Sequence, residues 1–371
     1  MTVILCQNCR LPYPDQGAPY RCPACGGAYD YSAPLAFDPG SIEPELPGLW
    51  RYRHAFALPQ NAPQLTLGEG ATPLVWEDLN GIRVGFKMES LNPTGSYKDR
   101  GTAVLVSQLA ARGVTEAIED SSGNAGASFA AYAARARMKA RVYVPESASG
   151  PKRLQIENYG AELVRVPGPR SAAAQAVLDE VGRGKVYASH AYMPFGLAGI
   201  ASLAYELWES LGRTAPGTVI APVGHGGLLR GILMGFTALQ AGGWIQQAPD
   251  YVGVQAAACA PLAAACHSGL EAIQTAAEGA TVAEGVRVRW PSQAAPLLQM
   301  CTQGGGEILA VPEDEILPAA AELGRRGLYV EPTAGLVLCG LNQMLQKGAA
   351  LRAPVILVLS GSGLKYFPAR P

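Results

Sequence analysis

The sequence predicts an α/β protein of two α/β domains with mostly parallel sheets and a small N-terminal metal-binding appendage. Three observations lead there. From Thr102 onward, helix-like and strand-like segments alternate, the pattern of successive βαβ units. Several strand-like segments are unbroken apolar runs, such as Val219–Val223 and Val355–Leu359, as expected of strands buried on both faces. Four N-terminal cysteines fall as two Cys-x-x-Cys pairs, Cys6/Cys9 and Cys22/Cys25, twelve residues apart.

The length of 371 residues allows two or three domains, from a prior of roughly 150 residues each. With 49% hydrophobic and 16% charged residues, the chain can fill large buried layers. Net charge is −1 and no Lys/Arg block stands out, so neither a nucleic-acid partner nor an acidic membrane surface is indicated. No apolar run reaches transmembrane length, and the opening MTVILCQNCR lacks a charged leader and an adequate hydrophobic core. A soluble, cytoplasmic protein is expected.

Residues 1–32 read as a zinc ribbon. Zinc takes four soft ligands in a tetrahedron, and each Cys-x-x-Cys knuckle supplies two from one tight turn. Four thiolates leave no open position, so the metal site formed by Cys6, Cys9, Cys22 and Cys25 is expected to be structural. Cys259, Cys266, Cys301 and Cys339 lie in apolar segments and read as small core residues. Residues 33–68 are Pro-rich and aperiodic, a wrapping arm. Strands are expected at 74–76, 82–87, 115–119, 140–144, 162–166, 186–189, 218–222, 251–255, 307–311 and 354–359. Helices are expected at 102–112, 125–137, 151–159, 171–182, 197–211, 228–241, 292–303, 314–326 and 333–347.

Chemistry gathers at four places. Ser90–Gly101, SLNPTGSYKDRG, sets Lys98 behind a Pro-Thr-Gly-Ser turn and ahead of a helix, where a lysine can be held still; by itself it also reads as a solvated lysine. Thr94 and Ser96 in this turn can cap the helix or bind an anion. Ser121-Ser122-Gly123-Asn124-Ala125-Gly126 follows a strand and opens a helix, whose first N–H groups favour an anion; a plain helix cap is the alternative. Gly224-His225-Gly226-Gly227-Leu228 follows the apolar strand 218–222 and can cradle a phosphate with backbone N–H groups. Neither dinucleotide nor Walker spacing is met, because Leu229 stands where the third glycine belongs and no Gly-Lys-Ser/Thr follows; a structural glycine turn is the alternative. Ser360, after the last strand, can hydrogen-bond a heteroaromatic nitrogen without protonating it, or can simply close a turn. His54, His190 and His267 show no metal spacing and receive no role.

Taken in chain order, this lysine, asparagine loop, glycine cup and terminal serine resemble the fold-type II enzymes that use pyridoxal 5′-phosphate, the tryptophan synthase β-like superfamily. Within it the chain looks most like the threonine synthases, on Gly68-Glu69-Gly70-x-Thr72-Pro73-Leu74, Asn92-Pro93-Thr94-Gly95-Ser96-Tyr97-Lys98-Asp99-Arg100-Gly101 and Glu331-Pro332-Thr333. The resemblance covers about residues 65–371, and some members carry an N-terminal zinc ribbon. It implies a fold-type II enzyme with a small domain at 91–195 set into a larger cofactor-binding domain of 33–90 and 196–371, commonly as a homodimer. It implies pyridoxal phosphate as cofactor, with Lys98 as the Schiff-base lysine that later moves the Cα proton. Asn124 would contact the 3′-oxygen, Gly224, His225, Gly226, Gly227 and Leu228 would hold the phosphate, and Ser360 would face the pyridine nitrogen. Ser121, Ser122 and Gly123 would take the substrate carboxylate, with Thr94 and Ser96 on the substrate side.

The activity implied is that of a lyase of threonine synthase type, converting O-phosphohomoserine and water to threonine and phosphate. One departure favours a different amino acid: where the family places Asn-Pro near the end of the small domain to help bind phosphate, this chain has Met193-Pro194, and methionine cannot donate. The alternative is therefore β-elimination or β-replacement on another small amino acid, in the manner of serine/threonine dehydratases or diaminopropionate ammonia-lyases. A remote alternative is a non-catalytic zinc-ribbon binding protein on a degenerate scaffold.

Overall fold

The computed structural model describes residues 3–79, 81–147 and 150–366. In chain order the strands are β1 (Ile4–Cys6), β2 (Tyr29–Tyr31), β3 (Leu74–Leu79), β4 (Ile82–Lys87), β5 (Glu116–Glu119), β6 (Lys139–Pro145), β7 (Glu162–Val166), β8 (Val186–Tyr187), β9 (Thr218–Pro222), β10 (Asp250–Ala256), β11 (Gly306–Val311) and β12 (Val355–Val358). The α-helices are α1 (Lys98–Ala111), α2 (Asn124–Arg135), α3 (Pro151–Asn158), α4 (Arg170–Gly182), α5 (Phe195–Ser210), α6 (Gly227–Ala241), α7 (Pro261–Ser268), α8 (Ala272–Thr275), α9 (Ala294–Thr302), α10 (Glu313–Arg325) and α11 (Pro332–Gln346). The chain forms two compact units, one of Met1–Gly70, Asn92–Thr94 and Lys98–Ser202, the other of Ala71–Leu91, Gly95–Tyr97 and Leu203–Pro371.

The first unit is built on a four-stranded parallel sheet in the order β7-β6-β5-β8. Small apolar residues let helices lie close to it, and Ile118, Tyr143, Val177 and Tyr187 form one of its buried clusters. Helix α1 begins at Lys98, four residues before the expected start. Gly101, inside the helix, is where α1 meets α5. A Cβ on Gly101 would come within 3.1 Å of the Gly196 carbonyl oxygen, so the backbones can approach only without a side chain.

The N-terminal ribbon belongs to this unit. β1 and β2 pair antiparallel, with Cys6 opposite Tyr29. Arg112, at the end of α1, donates from Nη1 to the carbonyls of Pro14 (2.8 Å) and Gly17 (2.9 Å) and lies over the Tyr13 ring. Tyr13 in turn meets Phe195 edge-on at 4.9 Å. The ribbon is thus packed onto α1 and α5.

The second unit holds a six-stranded sheet in the order β11-β10-β9-β12-β4-β3, parallel except for the β3–β4 hairpin at its edge. Its central strands, β9 and β12, are buried at every residue, as their apolar runs predict. Phe86, Ile220, Val254, Leu336, Leu341 and Leu357 anchor the core, with α11 among its largest contributors. Helix α7, Pro-Leu-Ala-Ala-Ala-Cys-His-Ser, went unread in the sequence because its run of small residues carries no amphipathic signal. Its start is set by tertiary contact: Gln255 Oε1 accepts from the amides of Leu262 and Ala263. Cys259 and Cys339 are buried as expected, but Cys266 and Cys301 correct the sequence reading, for they join in a disulfide between α7 and α9. No helix among the described residues is long and apolar enough to cross a membrane.

Candidate active site

In the first unit, the Lys98 loop is tied down by the residue that follows the lysine. Asp99 is wholly buried and accepts from the Thr94 amide (2.7 Å), the Thr94 hydroxyl (2.6 Å) and the Ser128 hydroxyl on α2 (2.7 Å). It therefore fixes the turn before Lys98 and the start of α1 against α2, leaving Lys98 half-buried at the first position of its helix. Thr94 sits at the site, with its hydroxyl engaged by Asp99. Gln155 on α3 donates to the Thr94 carbonyl (3.1 Å). Nothing in local periodicity marks Asp99; its place directly after the lysine is the only sequence clue. Asp99→Ala leaves three buried donors without their acceptor, at a cost of about 3 kcal/mol or more. Thermal unfolding of the variant is expected about 4 °C lower, and an unchanged melting temperature would contradict this account.

The upstream Gly-Glu-Gly element has a structural cause. Glu69 is fully buried and accepts from Trp50 Nε1 (2.9 Å), Tyr132 Oη (2.6 Å) and the Leu67 amide (2.9 Å). Asn92 Oδ1 accepts from the Gly70 amide (2.9 Å). These residues hold the arm to the body of the first unit.

Ser121, Ser122, Gly123 and Asn124 lie where β5 hands over to α2. Asn124 is the first residue of that 12-residue helix, whose N-cap is Gly123, with no side chain capping its first amides. Ser121 Oγ accepts from the Gly123 amide (3.3 Å) instead. A Cβ on Gly123 would meet only Ser121 Oγ, at 3.8 Å, so the loop is open to a ligand. Uncapped N–H groups at a helix start suit a carboxylate.

Glu119 and His190 went unassigned in the sequence, and the fold brings them together. Glu119 is fully buried at the end of β5, and its Oε1 lies 2.6 Å from Nδ1 of His190, just past β8. Burial pushes the Glu119 carboxyl well above the usual carboxylate range, Asp120 adds to the rise, and Lys98 and Arg170 oppose it. The available signal was a carboxylate at the end of β5, directly after the apolar pair Ala117-Ile118.

In the second unit, Gly224–Leu228 forms the turn from β9 into the 15-residue α6. Gly226 is the N-cap, with φ +93°. A Cβ there would come within 2.6 Å of Leu297, and one on Gly224 within 2.6 Å of the Gly285 carbonyl oxygen; one on Gly227 would meet nothing within 4 Å. The cup is thus closed behind and open at the helix start. It is braced from outside: the Gln293 amide donates to the His225 carbonyl (3.0 Å), and the Gly285 amide donates to Thr333 Oγ1 (3.1 Å). That second bond ties Thr333 of the Glu331-Pro332-Thr333 element to the segment behind the cup.

Ser360 follows β12, the neighbour of β9, so it and the cup leave the carboxyl ends of adjacent parallel strands. Ser96 is brought to Ser360. The Tyr97 amide donates to the Ser360 carbonyl (3.1 Å), the Ser362 amide donates to the Gly95 carbonyl (2.9 Å), and Ser96 bridges Gly361. Ser96 Oγ is fully buried without a hydrogen-bond partner, a group a bound ligand could satisfy. Lys87, also unread in the sequence, is buried and donates to Glu206 (2.7 Å) and to the Thr72 carbonyl (2.6 Å). Glu206 also accepts from the Ala71 amide (2.7 Å), so this ion pair shapes the Thr72-Pro73 turn.

These features fit pyridoxal phosphate: a glycine cup at the start of a long helix for a phosphate, a lysine held at a helix start, and a serine at a neighbouring strand end. In the ribbon, the four cysteine sulfurs lie within 4.8 Å of one another, a set compatible with a tetrahedral metal.

Comparison with known proteins agrees. A family model described as pyridoxal-phosphate dependent enzyme matches residues 65–361. The threonine synthase of Methanosarcina acetivorans is 31% identical over 373 residues, covering 97% of this chain and 91% of that protein. That of Methanocaldococcus jannaschii is 31% identical over 377 residues, covering 97% and 92%. Among solved structures, maize serine racemase aligns with a TM-score of 0.67 at 18% identity, covering 79% of this chain and 88% of that one. A threonine deaminase from T.th. aligns with a TM-score of 0.64 at 30% identity, covering 80% and 94%. With the family match spanning most of its length and threonine synthases as its relatives, this chain belongs to the fold-type II pyridoxal-phosphate dependent enzymes.

Proposed function

We infer that the protein is a threonine synthase, acting on O-phosphohomoserine and water to give threonine and phosphate. The observation that carries this reading is the likeness to threonine synthases over 97% of the chain, ribbon included. The bound cofactor would supply the electron sink for carbanion chemistry at the substrate's carbons. The protein's residues supply the rest. Lys98 would hold the cofactor covalently and move the Cα proton, its position set by Asp99. The Gly224–Leu228 backbone would hold the cofactor phosphate at the start of α6, and Ser360 would offer a neutral hydroxyl to the ring nitrogen. Asn124 would contact the ring's 3′-oxygen. Ser121, Ser122 and Gly123 would orient the substrate carboxylate at the start of α2, with Ser96 on the same substrate.

A second reading rests on Met193, which is buried and cannot donate to a phosphate. It favours elimination on a smaller amino acid, and the threonine deaminase likeness at 30% identity supports it. Incubation of the purified protein with phosphohomoserine, serine, threonine and diaminopropionate separates the two. Release of phosphate together with threonine from the first is the expected result. Pyruvate or 2-oxobutyrate formation without phosphate release would replace this reading with the second.

The four ribbon cysteines are proposed to hold one structural zinc, which steadies the ribbon where it packs on α1 and α5. Cys9→Ser is expected to lose the metal, read by elemental analysis, while turnover stays within about two-fold, because a four-thiolate site offers no open coordination position. A large loss of turnover with the fold intact would give the ribbon a part in the reaction.

A further inference from the structure

Glu119 and His190 are joined at the carboxyl ends of two adjacent parallel strands. β5 and β8 pair with Ala117 opposite Val186 and Ile118 opposite Tyr187, and the Ala188 amide donates to the Ile118 carbonyl (2.9 Å). At and just beyond these strand ends the two segments are linked twice. Tyr187 Oη donates to Asp120 Oδ1 (2.7 Å), and Glu119 meets His190 at 2.6 Å. The turn carrying His190 is itself fixed, since Ser189 Oγ accepts from the amides of Ala191 and Tyr192. The Tyr187–Asp120 bond already ties the strand ends, and the buried acid makes a second link beside it.

The acid is also costly. Glu119 is fully buried, and its Oε2 is enclosed without a hydrogen-bond partner. A carboxyl oxygen in that state destabilises the protein relative to a well-packed apolar residue, which makes the position a candidate for function. His190 touches it, and Asp120, Tyr187, Lys98 and Arg170 are the charged and titratable groups whose fields act on it. Lys98 is thus within electrostatic reach of a carboxyl that shares a short contact with an imidazole.

We propose that Glu119 and His190 are a proton-sharing positioning pair for Lys98. This rests on the reading that Lys98 moves the Cα proton. One proton resides on the pair. With that proton on Glu119 Oε1, the carboxyl is neutral and Lys98 is free to act as a base. When Lys98 takes the Cα proton and becomes an ammonium, the pair's proton crosses the 2.6 Å contact to His190 Nδ1, leaving a carboxylate to face the new positive charge. When Lys98 gives its proton back, the shared proton returns to Glu119. The pair gains and loses no net proton, and no other reactant is needed.

The test uses the cofactor-loaded protein. Infrared difference spectra of the parent against Glu119→Gln at neutral pH are expected to show a protonated-carboxyl stretch that the variant lacks. Steady-state rates, with whichever of phosphohomoserine, serine, threonine and diaminopropionate the parent turns over, are expected to show kcat lowered roughly 10- to 100-fold and KM within about three-fold. His190→Gln, at a half-buried position, is expected to keep the infrared band and lose kcat to the same degree; it decides the matter should Glu119→Gln fail to fold. A missing band, or a kcat within two-fold of the parent in a folded variant, would overturn the proposal. A parent that turns over serine but not phosphohomoserine would overturn the proposed substrate and leave this test intact. A parent that turns over none of the four leaves the infrared band to decide for or against the pair.

Discussion

Lys98→Ala is expected to lower turnover by on the order of 10⁴-fold, the scale of losing a positioned base that also anchors the cofactor. The loss falls in kcat, because the groups assigned to the substrate carboxylate and the cofactor phosphate are untouched. The visible band of the cofactor-loaded protein should vanish or move, since the chromophore then lacks its link to the chain. The substitution should leave the fold intact: Lys98 is half-buried at the first helical position, while the buried clamp on the turn is made by Asp99. Circular dichroism and a melting curve check that separation. A variant that retained more than a tenth of the parent's turnover would remove Lys98 from the reaction.

Gly226→Ala is expected to have the second-largest effect, on cofactor affinity. The residue has φ +93°, and an added Cβ would come within 2.6 Å of Leu297 and 2.9 Å of Gln293. An L-residue in this conformation costs about 1–2 kcal/mol before any clash. Relief requires either the cup or α9 to move, and α9 is bound to α7 through the Cys266–Cys301 disulfide. A loss of about 2 kcal/mol corresponds to roughly 30-fold in the dissociation constant of pyridoxal phosphate, read by titrating the cofactor into apoprotein. Gly227→Ala is the control, since a Cβ there meets nothing within 4 Å. Equal affinities for the two variants would show that the cup does not depend on the backbone shape at Gly226.

Much of the architecture was legible in the chain. The apolar runs at β9 and β12 announced central parallel strands, because a strand covered on both faces has no solvent side on which to place polar residues. The glycine cup was visible for a similar reason: a turn requiring positive φ and close backbone approach permits few residue types, so its composition is nearly its geometry. Helix starts were less legible. α1 begins at Lys98 rather than Thr102, its start held by Asp99, and Gly101 within it serves a crossing with Gly196, which is distant in sequence. α7 left no periodic trace, its position following from Gln255. The Cys266–Cys301 bridge was equally hidden, for two cysteines 35 residues apart carry no spacing signal of their own.

The sequence by itself determined the kind of chemistry. Lysine after a tight turn, small residues at helix starts and serine at a strand end are local patterns, and each dictates its own short-range backbone. The tertiary structure alone decided which buried ionisable groups are paired. Asp99 holds Ser128 across 29 residues, Glu119 meets His190 across 71, and Lys87 meets Glu206 across 119. Such pairs are made by strand order and helix packing. A buried charge is tolerated only where a partner arrives from elsewhere in the fold, and no local pattern records which residue that partner is.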